Sequence, residues 1–149
     1  MLAENTVLIG RRAITRSYAK INLTLDVLSK RENGYHDIKM IMQTVSLFDL
    51  ILVDKTHRGI SISTNLPYLP CNEKNIAYKA ADAFFKATGI RGGAKIVIHK
   101  NIPVAAGLAG GSGNCAAVLT AINMLHGNPL SNDELMHIGA SLGADVPYC

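Results

Sequence analysis

The clearest chemistry in the sequence lies in one glycine-rich stretch, Ile102-Pro103-Val104-Ala105-Ala106-Gly107-Leu108-Ala109-Gly110-Gly111-Ser112-Gly113-Asn114. It follows a predicted strand and opens a predicted helix. Glycines let backbone N–H groups approach a ligand closely. The first turn of a helix adds donors that lack intrahelical partners, at the positive end of its dipole. Such a segment is suited to an anion, above all phosphate. Gly and Ala would also serve tight packing of helix on sheet, but Gly107, Gly110, Gly111 and Gly113 around Ser112 favour phosphate.

Two commoner phosphate fingerprints are excluded. A Walker loop ends in Gly-Lys-Ser/Thr, and no Lys follows Gly113. The pattern Gly111-x-Gly113-x-x-Ala116 does match a dinucleotide fingerprint, with Asp133 further on as a tempting acid. That fold needs a strand ending at the acid, and the residues before Asp133 read HGNPLSN, which cannot be a buried strand.

The elements that must position this loop can be read from apolar periodicity. Residues 13–28 alternate as a half-buried strand through Ile21, Leu23, Leu25 and Val27. Residues 29–34 (SKRENG) form a polar turn. Residues 38–53 are apolar apart from Asp49 and are expected as two strands joined by a tight corner. A short strand over 59–63, a proline-containing loop over 65–72 and a helix over 75–88 stopped by Gly89 come next. Residues 94–99 (AKIVIH) are a strand, 112–125 an apolar helix, and Ser131 with Glu134 three residues on marks the start of another helix ending near Gly143. Strands, helix, strand and two helices in that order predict an α+β lobe with a mixed or antiparallel sheet packed against helices.

The bulk composition sets limits. The chain has 149 residues, 48% hydrophobic and 17% charged, enough for a single domain or lobe with a real core. Its formal charge of +4 is spread along the chain, a pattern that suits a small anionic ligand at least as well as nucleic acid. The three cysteines, Cys71, Cys115 and Cys149, form no CxxC pair, which argues against structural zinc and for free thiols in a reducing compartment. No stretch approaches the ~20 apolar residues of a membrane helix, so a soluble, cytoplasmic protein is expected. The chain stops just as an apolar run begins at Val146-Pro147-Tyr148-Cys149, so a further lobe is expected beyond it.

Pro103-x-x-x-Gly107-Leu108 followed by glycines and Ser112 resembles the phosphate loop of the GHMP kinases. Ala19-Lys20-Ile21-Asn22-Leu23, Gly34-Tyr35-His36 and Gly143-Ala144-Asp145-Val146-Pro147 narrow the likeness to the branch that phosphorylates a cytidine-diphosphate-linked methylerythritol on its 2-hydroxyl in non-mevalonate isoprenoid synthesis. The resemblance runs from about Tyr18 to the end. It implies a GHMP kinase N-terminal lobe over residues 13–149, sharing its general fold with a ribosomal protein domain. It also implies residues 1–12 as an extension outside the lobe, a tag or disordered lead-in, and a C-terminal GHMP domain that this chain lacks.

The resemblance assigns roles that residue chemistry supports. Asp145 matches the catalytic aspartate, since a carboxylate in reach of an alcohol can take its proton as the phosphoryl group arrives. Lys20 matches the catalytic lysine, a cation that lowers the hydroxyl's pKa and offsets transition-state charge. Taken alone, that Asp would read as an ordinary helix-end residue and that Lys as a solvated one. Residues 103–113 match the ATP loop, and Asn75 and Lys100 match positions near the nucleotide. Asn22 shares a strand face with Lys20. Tyr35 and His36 match the residues that recognise cytidine by stacking and edge hydrogen bonds. ATP and Mg²⁺ are implied as cofactors, with no metal-ligand set evident. Gly113 departs from the family, which commonly has a second Ser there, so weaker ATP binding is expected. Two alternatives stay open: a non-catalytic RNA- or anion-binding module, against which dispersed basic residues and few aromatics weigh, and another GHMP kinase, against which Gly34-Tyr35-His36 weighs.

Overall fold

Alternation of side chains along extended backbone separates a buried face from an exposed one, and the strands of this chain follow that rule only part of the way. The computed structural model describes residues 3–30, Gly34 and residues 36–149. Five strands form one sheet in the order β1-β2-β3-β5-β4. They are β1 (Thr6–Ile9), β2 (Arg12–Lys30), β3 (His36–Thr56), β4 (Gly59–Thr64) and β5 (Gly93–His99). All neighbours are antiparallel except β4 and β5, which run parallel. A parallel pair needs a crossover, and α1 (Ile76–Thr88) provides it. Two more helices, α2 (Gly110–Leu125) and α3 (Asn132–Leu142), follow β5. The result is the expected α+β lobe.

One core joins the helices to a single face of the sheet. Ala13 from β2, Ile51 and Val53 from β3, Ile62 from β4 and Ile96 and Ile98 from β5 are buried against Phe84 of α1 and Val118 and Ile122 of α2. Small residues let the layers approach: Ala77, Ala80 and Ala81 on α1, and Ala116, Ala117 and Ala121 on α2, are all in the core. Helix α2 is buried on nearly every side from Gly113 to Leu119, as befits the central helix of the layer.

Strands β2 and β3 are long, and their pairing breaks register between Tyr18 and Lys20, between Asn22 and Thr24, and between Val27 and Ser29. Before the first break, Ala13, Thr15 and Ser17 are buried while Arg16 is exposed. Strict alternation would put Lys20 on the face of Arg16. The irregularity turns it inward instead, and Lys20 is buried beside Ser17's side of the sheet. Beyond Lys20 every β2 residue is exposed, and the two strands continue as a ribbon that no helix covers.

Four expectations need correction. Within the expected extension, Thr6–Ile9 does not stand outside the lobe, because β1 pairs with β2 as the sheet's edge strand. Residues 38–53 are not two strands with a corner. They belong to the single strand β3, since β2 runs beside it for its whole length and Asp49 stays in the ladder opposite Ser17. Ser29 and Lys30 still belong to β2. Helix α2 starts at Gly110, two residues before Ser112.

Candidate active site

The three helix starts differ in a way that locates the site. Asn75 caps α1, its Oδ1 accepting from the Ala77 N–H at 3.0 Å. Ser131 and Glu134 form a full capping box on α3. Helix α2 has no side-chain cap; its N-cap is Ala109, in the left-handed region at φ 55. The first N–H groups of α2 therefore stay available to a ligand. Residues 103–112 and Asn75, Lys100, Asn114 and Asp145 line a cleft of about 490 Å³ over that helix start. Ala105 also takes positive φ, a conformation costing about 1 kcal/mol or more for a non-glycine residue. That strain is the kind a preformed anion loop carries.

The loop is anchored at both ends. At its start, the fully buried Asp49 takes an ion pair from Lys100 Nζ and accepts from the N–H groups of Asn101 at 2.7 Å and Ile102 at 2.8 Å. Asn65 holds the Lys100 backbone from the other side, through Oδ1 and Nδ2. A buried carboxylate is tolerable only with such partners. At the loop's far end, the Lys20 N–H leaves the sheet ladder to donate to the Leu108 carbonyl at 3.1 Å. The register break in β2 thus ties the strand to the loop. Helix α2 then passes directly over Lys100: a Cβ at Gly110 would stand 2.9 Å from Lys100 Nζ.

Asp145 reaches the cleft from the turn after α3. Val146 anchors that turn in the core, and Gly139 makes room for it, since a Cβ there would lie 2.8 Å from Val146 Cγ1. The Asp145 carboxylate, 39% exposed, lies 3.5 Å from the Lys20 ammonium, whose side chain is 7% exposed. Lys20 also donates to Asn22 Oδ1 at 3.0 Å. A carboxylate open to the cleft and held beside a buried ammonium can accept a proton from an alcohol while the cation offsets developing negative charge. Nearby, burial and the Asp145 charge push the Cys149 thiol up to about 11, with Lys20 working the other way. Burial likewise pushes the Cys115 thiol up to about 12.

The structure brings together most of the residues singled out from the sequence, with distinctions. Pro103, Val104, Ala105, Ala106, Gly107, Leu108, Ala109, Gly110, Gly111 and Ser112 line the cleft, and Asp145 does so with Lys20 behind it. Asn75 and Lys100 border the cleft, but Asn75 is engaged as a helix cap and Lys100 with Asp49. Gly113 faces away from the cleft, toward Ser17. His36 begins β3 at the outer end of the ribbon, opposite Lys30, and does not line the cleft. Tyr35 lies outside the described residues. Asp49 was missed as a site residue; a lone acid inside an apolar stretch was its signal. Among the described residues no group of three or more His, Cys, Asp and Glu side chains could hold a metal alone. No helix among them is long and apolar enough to cross a membrane.

Comparison with known proteins agrees with this geometry. The sequence description of the GHMP kinases N terminal domain matches residues 75–149. A 4-diphosphocytidyl-2-C-methyl-D-erythritol kinase of Clostridium botulinum is 52% identical over 134 residues, covering 90% of this chain and 48% of the relative. The enzyme of the same name from Caldicellulosiruptor saccharolyticus is 52% identical over 137 residues, covering 91% of this chain and 47% of its own length. The chain thus spans about half the length of the curated relatives it matches. A crystal structure of 4-(cytidine 5'-diphospho)-2C-methyl-D-erythritol kinase superposes with a TM-score of 0.79 at 36% identity, covering 91% of this chain and 47% of that one. A homoserine kinase from Cytophaga hutchinsonii, at 18% identity and TM-score 0.71 over 91% of this chain and 42% of its own, shares the fold. With its open helix start, its glycine-rich loop and the family description matching half its length, the chain belongs to the GHMP kinase N-terminal domain family.

Proposed function

We propose that the protein transfers the γ-phosphoryl group of ATP to the 2-hydroxyl of 4-diphosphocytidyl-2-C-methyl-D-erythritol. The observation that carries this reading is the uncapped start of α2 opening into the cleft that Asp145 also lines, with Lys20 at 3.5 Å from that carboxylate. The N–H groups of Gly110, Gly111 and Ser112 bind the phosphate oxygens. Asp145 accepts the proton of the acceptor hydroxyl as its oxygen bonds to phosphorus, and the ADP oxygen departs with the electrons of the broken bond. Lys20, 3.5 Å from that carboxylate, orients Asp145 and stabilises the charge that gathers on the transferring group.

The donor set around the cleft fits Mg²⁺, a hard ion that takes oxygen ligands and relies largely on substrate phosphates. The Asp145 carboxylate and the Ser112 hydroxyl line the same cleft and would hold it. Bound there, it would neutralise phosphate charge. Asn22, Tyr35 and His36 are the residues we assign to the acceptor, with His36 reading the edge of the cytosine base. Asn75 and Lys100 support the nucleotide site at its margin, Lys100 chiefly through Asp49. We place the enzyme in the cytoplasm, acting on small molecules and not on nucleic acid.

The test is direct. Full-length protein is incubated with ATP, Mg²⁺ and 4-diphosphocytidyl-2-C-methyl-D-erythritol, and phosphorylated product is followed by phosphorus NMR or mass spectrometry. Product bearing a new phosphate at the 2-hydroxyl, and none with mevalonate or homoserine, is the expected result. No transfer by well-folded full-length protein overturns the reading.

A further inference from the structure

We infer that an ordered water in a small chamber behind Lys20 is part of the site, and that Ser17 is a positioning residue for the Lys20 ammonium, acting through that water. The chamber has a volume of about 40 Å³ and is lined by Ser17, Lys20, Thr44, Gly113, Tyr148 and Cys149 among others. That exceeds the ~10–15 Å³ a single water requires. Its walls are polar where a water needs partners. Ser17 is fully buried, and its Oγ finds no hydrogen-bond partner in the protein. Thr44 Oγ1 and the Tyr148 hydroxyl stand 3.5 Å apart on the same wall.

Counting donors leads to the same place. An ammonium has three N–H bonds. Lys20 directs one to Asn22 Oδ1 at 3.0 Å and faces Asp145 Oδ2 at 3.5 Å. Its third donor has no protein acceptor among the described residues. A water that accepts from this N–H and donates to Ser17 Oγ satisfies two buried groups at once, and its second hydrogen is free for Thr44 or Tyr148. Three fixed partners then set where the ammonium sits relative to Asp145.

Gly113 belongs to the same device. A Cβ added there would overlap Ser17 Oγ, yet it would lie 3.8 Å from Ser17 Cβ and 3.5 Å from the Tyr18 carbonyl oxygen, both ordinary contacts. A side chain at position 113 therefore requires the Ser17 hydroxyl to leave its present place. The two compete for one volume, and a hydroxyl can enter it from either wall but not from both.

This inference rests on the kinase reading only for the task it gives Lys20, so the decisive measurements are independent of activity. A high-resolution crystal structure of the chain should contain a water within hydrogen-bond distance of both Ser17 Oγ and Lys20 Nζ. A dry chamber overturns the proposal. In a ¹⁵N-lysine-labelled sample, proton exchange of the Lys20 ammonium should be faster in Ser17→Ala than in wild type, because a buried donor loses a bound partner. Gly113→Ser in the Ser17→Ala background should restore slow exchange, whereas Gly113→Ser alone should lower the melting temperature. Unchanged exchange in a Ser17→Ala protein of unaltered circular dichroism and melting temperature also overturns it. In full-length enzyme, Ser17→Ala should lower kcat by up to about 10²-fold at unchanged KM for ATP, the scale for a catalytic group displaced by about 1 Å. If wild-type enzyme transfers no phosphate, the kinase reading fails, while the crystal and exchange results still decide the water.

Discussion

Strands β2 and β3 are paired from end to end, yet their two halves live in different surroundings. From Arg12 to Lys20 and from Phe48 to Thr56 the pair carries the core, with Ala13, Ile51 and Val53 fully buried under α1 and α2. From Ile21 to Lys30 every β2 residue is exposed, including Leu23, Leu25, Val27 and Leu28. The same alternation of apolar and polar residues thus yields a packed sheet in one half and an open ribbon in the other. The difference is the presence of helices over one face, not strand pairing. The division is also functional in our reading: the body holds the phosphate loop and the Lys20–Asp145 pair, and the ribbon carries His36.

That contrast can be broken by experiment, beginning with chemistry. Asp145→Asn, an isosteric change at the edge of the body, is expected to cut turnover about 10²–10⁴-fold, the range for loss of a general base. Its melting temperature should stay near that of the wild type. His36→Ala on the ribbon should instead raise KM for the cytidine-linked acceptor by about 10-fold and leave KM for ATP unchanged, the scale of one lost ligand hydrogen bond of about 1.4 kcal/mol. Steady-state kinetics on full-length enzyme distinguish the two, and a ribbon variant that weakens ATP would erase the functional division.

Stability should divide in the same way. Phe84→Ala leaves a cavity in the core and is expected to cost about 3–5 kcal/mol. Val27→Ala, on the exposed ribbon, should change stability by no more than about 0.5 kcal/mol. Urea denaturation measures both. A large cost at Val27 would mean that the ribbon is packed against something in solution.

The thiols provide a pH-dependent probe of the body. Folding raises Cys115 from an ordinary 9.0 to about 12 and Cys149 to about 11, so the folded state resists losing these protons. The contribution to stability is complete below pH 9 and is lost as pH rises from there through 11–12, because over that range the unfolded chain has given up protons that the folded chain still holds. Thermal melts between pH 8 and 11 should show the decline. In native protein near neutral pH, alkylation followed by mass spectrometry should label the exposed Cys71 well before Cys115 or Cys149.

The smallest effect is expected at the α3 cap. Hydrogen bonds from the Ser131 backbone, and then from its side chain, hold the Glu134 carboxyl below its ordinary range. Its support for the helix is present above the unfolded value of 4.5 and fades as pH falls through the lower folded one. Glu134→Gln should therefore flatten a slight acid-side loss in melting temperature and do little at neutral pH.

Local features were the ones readable in advance. The α3 capping box and the Gly89 stop each depend on a few consecutive residues and formed as expected, and the glycine-rich loop opens a helix as read, though two residues earlier. The misreadings came where distant segments meet. A charged residue inside an apolar run suggested a corner, but Asp49 stays in its strand because Lys100 and two N–H groups some fifty residues away receive it. Residues 1–12 read as an extension outside the lobe, yet Thr6–Ile9 pairs with β2. Position 113 read as a lost hydroxyl, and the fold shows that a Cβ there would meet the facing Ser17 Oγ.

Sequence by itself offered a glycine-rich helix start suited to phosphate and a likeness to GHMP kinases that the matching domain bears out, and the roles proposed for Lys20 and Asp145 came only with that likeness. These are properties of short segments, fixed by residue type and spacing. Tertiary structure alone decided that Lys20 turns inward at a register break, that Val146 wedges its turn so that Asp145 meets Lys20 at 3.5 Å, and that α2 opens uncapped into the cleft. The physical reason is that contacts between residues more than a hundred positions apart arise only once a shared core brings their elements together.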